Sequence, residues 1–169
     1  MSRLRSFLNN NRFVITILLT LSLASKVILF DQLTKVAVLD YFSNTAKTLE
    51  VTSFFNIILH YNKGISFGFL NDIAHANLIL GLMVVAVIVA VWVWFTRNAV
   101  YINITPIGLI TGGAIGNLID RLTRQGVVDF LDFHYKNHHY PTFNVADAAI
   151  VLGVLMLMIS GLVTKKDSL

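Results

Sequence analysis

Four apolar stretches of membrane-spanning length constrain this chain more than anything else in it: Phe13 to Phe30, Ala76 to Phe95, Val100 to Ile119 and Val145 to Thr164. A helix needs about 20 apolar residues to cross a hydrocarbon core of roughly 30 Å. The 169 residues are 56% hydrophobic and 13% charged, too little polar surface to cover a water-soluble globule. The expected fold is therefore an α-helical membrane protein with four transmembrane helices. Residues 1–169 make a single polytopic domain, with outer loops over 31–75 and 120–144 and no room for a second catalytic domain.

The first stretch follows Arg3, Arg5 and Arg12 and has the look of a signal-peptide core, but no Ala-x-Ala-like cleavage site follows it, so it reads as a retained anchor. Lys26, one turn before Phe30, can snorkel to the nearer interface. Basic residues set the orientation. Arg3, Arg5, Arg12, Arg97, Lys165 and Lys166 crowd the short termini and the Thr96 to Ala99 turn, whereas six others are spread over the long loops. That density places both termini in the cytoplasm and the loops outside. In the third stretch Gly108, Gly112 and Gly116 recur every four residues, which lets another helix approach closely. Leu49 to Tyr61, rich in Val, Thr, Phe and Ile, reads as one or two strands of a small sheet outside the membrane, with Val127 to Phe143 as strand and turn beside it.

The absence of cysteine excludes disulfides, thiol nucleophiles and thiolate metal sites. A formal charge of +4 without a basic stripe suits anionic lipid headgroups, not nucleic acid. His134, His138 and His139 cluster, but in an aromatic-rich loop with Pro141 and without a zinc motif; no metal and no cofactor is expected. Gly64-x-Ser66-x-Gly68 mimics a serine-hydrolase elbow without its α/β scaffold, and is a chance match.

Eight of the nine acids fall in the outer loops or at the outer helix ends. Asp129, just past the third span, and Asp147, at the start of the fourth, stand out because antiparallel neighbouring helices would bring those ends together. Two carboxylates in a partly desolvated site share a proton, and such a pair can hydrolyse an amide. The simpler reading is that Asn144 caps the fourth helix and Asp147 reaches back within its first turn. Asp120 and Asp132 read as solvated loop acids, and Asp31 with Lys35 as a helix pair worth only about 0.2 to 0.5 kcal/mol.

Three more segments accompany the aspartates: Asp31-Gln32-Leu33-Thr34-Lys35, Asn62-Lys63-Gly64-Ile65-Ser66-Phe67-Gly68 and Asn117-Leu118-Ile119-Asp120-Arg121. With Gly126 to Phe130 and Phe143 to Asp147, they resemble the signature boxes of the lipoprotein signal peptidase (signal peptidase II) family in order and spacing. One departure is Ser66, where that family often has alanine. The resemblance implies an aspartyl membrane endopeptidase of the bacterial cytoplasmic (inner) membrane, active on the outer side. It would remove signal peptides from prolipoproteins by cutting before a diacylglyceryl-modified cysteine. It implies Asp129 and Asp147 as the catalytic pair, and Asn62, Gly64, Asn117, Arg121, Asn144 and Asp31 in substrate binding or site ordering. It also implies an outer sheet with a surface helix. The partners would be lipid-modified precursors and membrane lipids, and the enzyme a monomer. The alternative is a small four-helix transporter or channel, against which stands the lack of an ionisable residue at mid-membrane in the second span.

Reporters fused after Leu169 or within Thr96 to Ala99 should read cytoplasmic, and those within Lys136 to Tyr140 external. An external C-terminus would overturn the four-span arrangement.

Overall fold

The sequence has neither glycine nor proline before Gly64, so nothing local stops its first helix where the apolar run ends. In the computed structural model, which describes residues 2–44, 47–63, 76–98, 104–124 and 126–166, helix α1 spans Ser2–Tyr41. It therefore carries Asp31 to Lys35 inside the helix instead of in the loop that the sequence suggested. Helices α2 (Ala76–Asn98), α3 (Ile104–Thr123) and α4 (Val145–Lys166) occupy the other three runs. Pro106 is accommodated in the first turn of α3, where its missing N–H has no helical partner to lose.

The segments between the helices form strands β1 (Thr48–Thr52), β2 (Phe55–Asn62), β3 (Val127–Tyr135) and β4 (His138–His139). They pair antiparallel in the order β1-β2-β3-β4. The β2–β3 ladder contains a bulge. Ile57 faces Leu131 and His60 faces Asp129, so β2 spends two residues where β3 spends only Phe130. Among the described residues there is no separate surface helix, and Gly64 and Ser66 lie outside them.

Helix α3 is the hub. It packs on α1, α2 and α4, α1 also touches α4, and α2 packs on no described element but α3. Two helical runs are long and apolar enough to cross a bilayer, Phe13–Tyr41 and Ile79–Arg97, and α4 carries a shorter apolar run, Val145–Ser160. Their outward faces are large and apolar, with Leu18, Phe30, Leu82, Met83, Val151 and Ile159 exposed. Helix α3 instead turns much of its surface to protein, burying Ile107, Ile110, Thr111, Ala114 and Asn117 among others.

The glycines explain how α3 holds its neighbours so closely. A Cβ on Gly108 or Gly112 would sit 2.9 Å from Leu23 Cδ2 or 2.7 Å from the Ala24 carbonyl of α1, and one on Gly116 would sit 2.6 Å from Asp31 Oδ2. This is the helix-packing role the four-residue spacing suggested. Gly113 points the other way, where a Cβ would collide with the Ala146 carbonyl oxygen. Since that contact is to backbone, no side chain can swing aside. Gly113→Ala should cost about 1 to 3 kcal/mol of stability and shift the start of α4. Thermal unfolding of the purified protein measures the first effect, and a wild-type melting temperature would contradict it.

Candidate active site

Asp129 lies on β3 and Asp147 in the first turn of α4, so each is aimed by a different kind of backbone. Three asparagines gather around them. Asn62 Nδ2 donates to Asp129 Oδ2 at 2.9 Å, and Asn144 Nδ2 donates to Asp129 Oδ1 at 2.8 Å. Asn117 Nδ2 donates to Asp147 Oδ1 at 2.7 Å.

Asn144 is also the cap of α4. Its Oδ1 accepts from the Asp147 N–H at 2.9 Å while its own N–H donates to Asp147 Oδ2 at 3.2 Å, a reciprocal capping box with aspartate in the third helical position. The capping reading of Asp147 and the paired-carboxylate reading therefore hold together. The bonds that start the helix also fix the acid beside its partner.

Beneath the asparagines lies a charge cluster that the sequence reading underrated. Lys35, Asp31 and Asp120 have no exposed side-chain surface; Lys35 Nζ stands 2.8 Å from Asp31 Oδ2 and 3.0 Å from Asp120 Oδ2. Lys35 also donates to Asn117 Oδ1 at 3.0 Å. An ammonium can only donate, so it must face the amide oxygen, and this turns the Asn117 NH2 toward Asp147. Arg124 completes the cluster on Asp120 Oδ1, and Gln32 Nε2 donates to both Asp31 and Asp120. The Asp31–Lys35 pair is thus no surface pair of a few tenths of a kcal/mol. Removing one partner of a buried pair costs about 3 to 5 kcal/mol, because the other charge is left uncompensated. Asp120 is likewise no solvated loop acid.

The two cluster acids do matching work. Asp31 Oδ1 accepts the N–H of Ala146 at 2.9 Å, and Asp120 Oδ2 accepts the N–H of Val128 at 2.9 Å. Ala146 and Val128 are the residues immediately before Asp147 and Asp129. One buried lysine therefore neutralises two carboxylates, each of which pins the backbone beside one of the paired aspartates.

Burial pushes the Asp129 carboxyl up to about 6, and the nearby Asp147 adds to the rise, while the hydrogen bonds from Asn62 and Asn144 restrain it. Arg121 is part-buried on α3, with Nη1 donating to the Asn117 carbonyl at 3.3 Å. Together with Asn117 and Asp147 it rims a cavity of about 380 Å³ between α2 and α4. On the other side of Asp147, residues from Tyr140 to Phe143 and α4 enclose about 470 Å³.

Asp132 does not belong to this group. It is three residues from Asp129 and on the opposite face of β3, buried, accepting from Asn56 Nδ2 at 2.9 Å and lying 2.8 Å from His139 Nδ1. Burial opposes its charge, but those hydrogen bonds outweigh the cost and hold its carboxyl below the ordinary range. It too was misread as a solvated acid. His134 stacks on His139, with ring centroids 5.0 Å apart. Gly64 lies outside the described residues, while Asp31, Asn62, Asn117, Arg121 and Asn144 converge on the two aspartates directly or through one another. Lys35, Gln32 and Asp120 were missed as site residues. A charged i, i+4 pair in a helix with no glycine or proline to end it was the available sign.

Comparison with known proteins gives one family. The sequence profile of the signal peptidase (SPase) II family matches residues 23–163. The lipoprotein signal peptidase of Cupriavidus necator is 38% identical over 156 residues, covering 91% of this chain and 89% of the relative. That of Paraburkholderia phytofirmans is 44% identical over 144 residues, covering 84% and 83%. A bacterial membrane enzyme solved by the in meso method at 2.3 Å resolution superposes with a TM-score of 0.72 at 28% identity, covering 88% of this chain and 90% of that one. A second, solved at 1.9 Å, gives 0.70 at 30% identity, covering 83% and 90%.

The Asp129 carboxyl, followed by its infrared C=O stretch against an Asp129→Asn reference, should titrate near 6. Asn62→Ala removes a bond that favours the ionised form, so the midpoint should move higher still. A midpoint near the ordinary aspartate value of about 3.9 would show that the carboxyl is solvated.

Proposed function

Because the chain belongs to the signal peptidase II family, we propose that Asp129 and Asp147 are the catalytic pair with which it performs that family's reaction. The activity itself is that of a lipoprotein signal peptidase, an aspartic peptidase that removes signal peptides from prolipoproteins. The observation that carries the assignment is the placement of Asn144, whose side-chain amide holds Asp129 while its backbone N–H holds Asp147. One residue thus fixes the spacing of both carboxylates.

In the reaction, the ionised member of the pair takes a proton from water as the water oxygen attacks the scissile carbonyl. The protonated member donates to the carbonyl oxygen, and the roles reverse when the amine departs. Burial, which pushes the Asp129 carboxyl up to about 6, favours its protonated form. Asn117 and Asn62 order the two acids, and Arg121, beside the pair, offers a planar fork of donors to substrate carbonyls. Asp31 supports the site through the Ala146 amide.

All four helices span the bilayer in this reading, with both termini cytoplasmic and the sheet outside. The density of basic residues supports the orientation. The apolar outward faces of α1, α2 and α4 support the immersion. The precursor carries a diacylglyceryl-modified cysteine just after the scissile bond, and among the described residues one copy of the chain supplies both aspartates with the three asparagines and Arg121 around them. No observation favours a transporter, since the buried charges are spent on ordering two aspartates.

Asp129→Asn and Asp147→Asn should each lower cleavage by about a thousandfold, in line with loss of general acid–base catalysis, while the protein stays folded. The double variant should be hardly worse than either single, because the pair acts as a unit. Asp132→Asn is a poor control, since Asp132 is buried with its own partners; Glu50→Gln, on an exposed edge of β1, is the better one. Substantial turnover by either purified single variant would remove the dyad assignment.

A further inference from the structure

Asp132 repeats on one face of β3 what Asp129 does on the other. Each acid takes one donor from β2 and one from the segment that follows β3. For Asp129 these are Asn62 and Asn144. For Asp132 they are Asn56 Nδ2 at 2.9 Å and His139 Nδ1, which lies 2.8 and 3.1 Å from the two carboxylate oxygens. A carboxylate only accepts, so Asn56 must turn its NH2 toward Asp132, and this leaves the Asn56 side-chain oxygen buried without a partner among the described residues. His139 Nδ1 carries its hydrogen for the same reason, and the stacked ring of His134, 5.0 Å away, limits how far the His139 ring can turn.

What this second fastening holds is the stretch from His139 to Asn144. The Tyr140 N–H donates to the Phe133 carbonyl at 2.8 Å, and Pro141 has no N–H to offer. Phe143 closes the run, donating to the Leu131 carbonyl at 3.2 Å and accepting from the Leu131 N–H at 2.9 Å. The next residue is Asn144, whose side-chain amide holds Asp129 and whose N–H holds Asp147. Asn144 therefore sits at one end of a short strap along β3, and the other end is tied to Asp132. Between the two ends, Tyr140 and Phe143 border the space beside Asp147.

Resting on the dyad reading above, we infer that Asp132 and His139 are positioning residues for the reaction, a pair that draws the strap onto β3 and so sets Asn144 between the two aspartates. In this role neither residue meets the substrate. The pair could also reach Asp129 through its electric field, and the sign of that effect separates the two routes. Removing the Asp132 charge favours ionised Asp129 and lowers its titration midpoint. Loosening Asn144 raises the midpoint, because the bond that Asn144 gives Asp129 favours the ionised form. For His139 both routes point upward, so the Asp132 variant decides.

The test is infrared titration of the Asp129 carboxyl in purified full-length protein, beside turnover of a lipid-modified precursor. In Asp132→Ala and in His139→Ala the midpoint should rise above the wild-type value near 6. Turnover should fall on the order of tenfold, since a 1 Å misplacement costs about a hundredfold. The double variant should match the larger single effect, because the two act as one pair. His139→Gln keeps an N–H donor and should recover most of both. Thr111→Val, which removes the Trp92 bond between α2 and α3, disturbs the helices without touching the strap and should leave the midpoint in place. A midpoint at or below the wild-type value in Asp132→Ala, additive rises in the double variant, or an equal rise in Thr111→Val would each overturn the inference. The His139 side chain is about half exposed, so its removal leaves no buried gap, and hydrogen exchange in His139→Ala gives a second reading. The Tyr140 and Phe143 amides should exchange about tenfold faster than in wild type as the pair's hold is lost; unchanged rates there would also overturn it. Neither readout needs catalysis, so cleavage surviving in Asp129→Asn would remove the dyad reading while the strap's effect on the carboxyl stayed measurable.

Discussion

A lysine ammonium with no exposed surface must be surrounded by acceptors, and the arrangement of this protein's site follows from how Lys35 satisfies that demand. Two carboxylates and one amide oxygen meet it. Each carboxylate has an oxygen left over, and each spends it on a backbone N–H next to one of the paired aspartates. The amide has its NH2 left over and spends it on Asp147. Helices α1 and α3 are thereby tied to the start of α4 and the start of β3 through a single cation. The glycine at 116 is part of the same design, because any larger residue would occupy the place of the Asp31 carboxylate.

Asparagine is well chosen above this cluster. A second layer of charge would compete with Lys35 for the aspartates, whereas a neutral amide supplies a donor to a carboxylate and an acceptor to an ammonium at once. Asn117 does both, between Lys35 and Asp147. Asn144 goes further, since it begins α4 and contacts both acids. Folding of the helix start and ordering of the chemistry are therefore one event, so stability and activity should be hard to separate at that residue.

Much of this was legible in the sequence. Apolar runs marked the four helices, β-rich segments between them marked the strands, position at the helix ends marked Asp129 and Asp147, and the family resemblance marked Asn62, Asn117 and Asn144, which do converge on them. What stayed hidden was burial. A period in hydrophobicity reports which face of a helix is apolar, but α1 places Asp31 and Lys35 in an apolar helix whose charged face is covered by α3, and no local pattern distinguishes a covered charge from a solvated one. Asp120 and Asp132 were misread for the same reason. One partner of each, Lys35 for Asp120 and Asn56 for Asp132, comes from a distant segment. The end of α1 was missed because charge was taken for a boundary, although no residue from Asp31 to Lys35 breaks a helix.

The bulge in β2 decides which acid receives an asparagine. Directly paired residues in a sheet share a face, and each step along a strand changes face. Below the bulge Asn56 pairs with Asp132; above it Asn62 pairs with Val127, on the same face as Asp129. Paired one for one from Asn56, the same residues would put Asn62 on the Asp132 side of the sheet, and Asp129 would lose a ligand. The strand thus carries a parity bit in its backbone. One residue added between Ile57 and His60 with the bulge kept, and paired one for one, would turn Asn62 away from Asp129 without changing a single side chain of the site, whereas removing the extra residue would leave a regular ladder with Asn62 still opposite Val127.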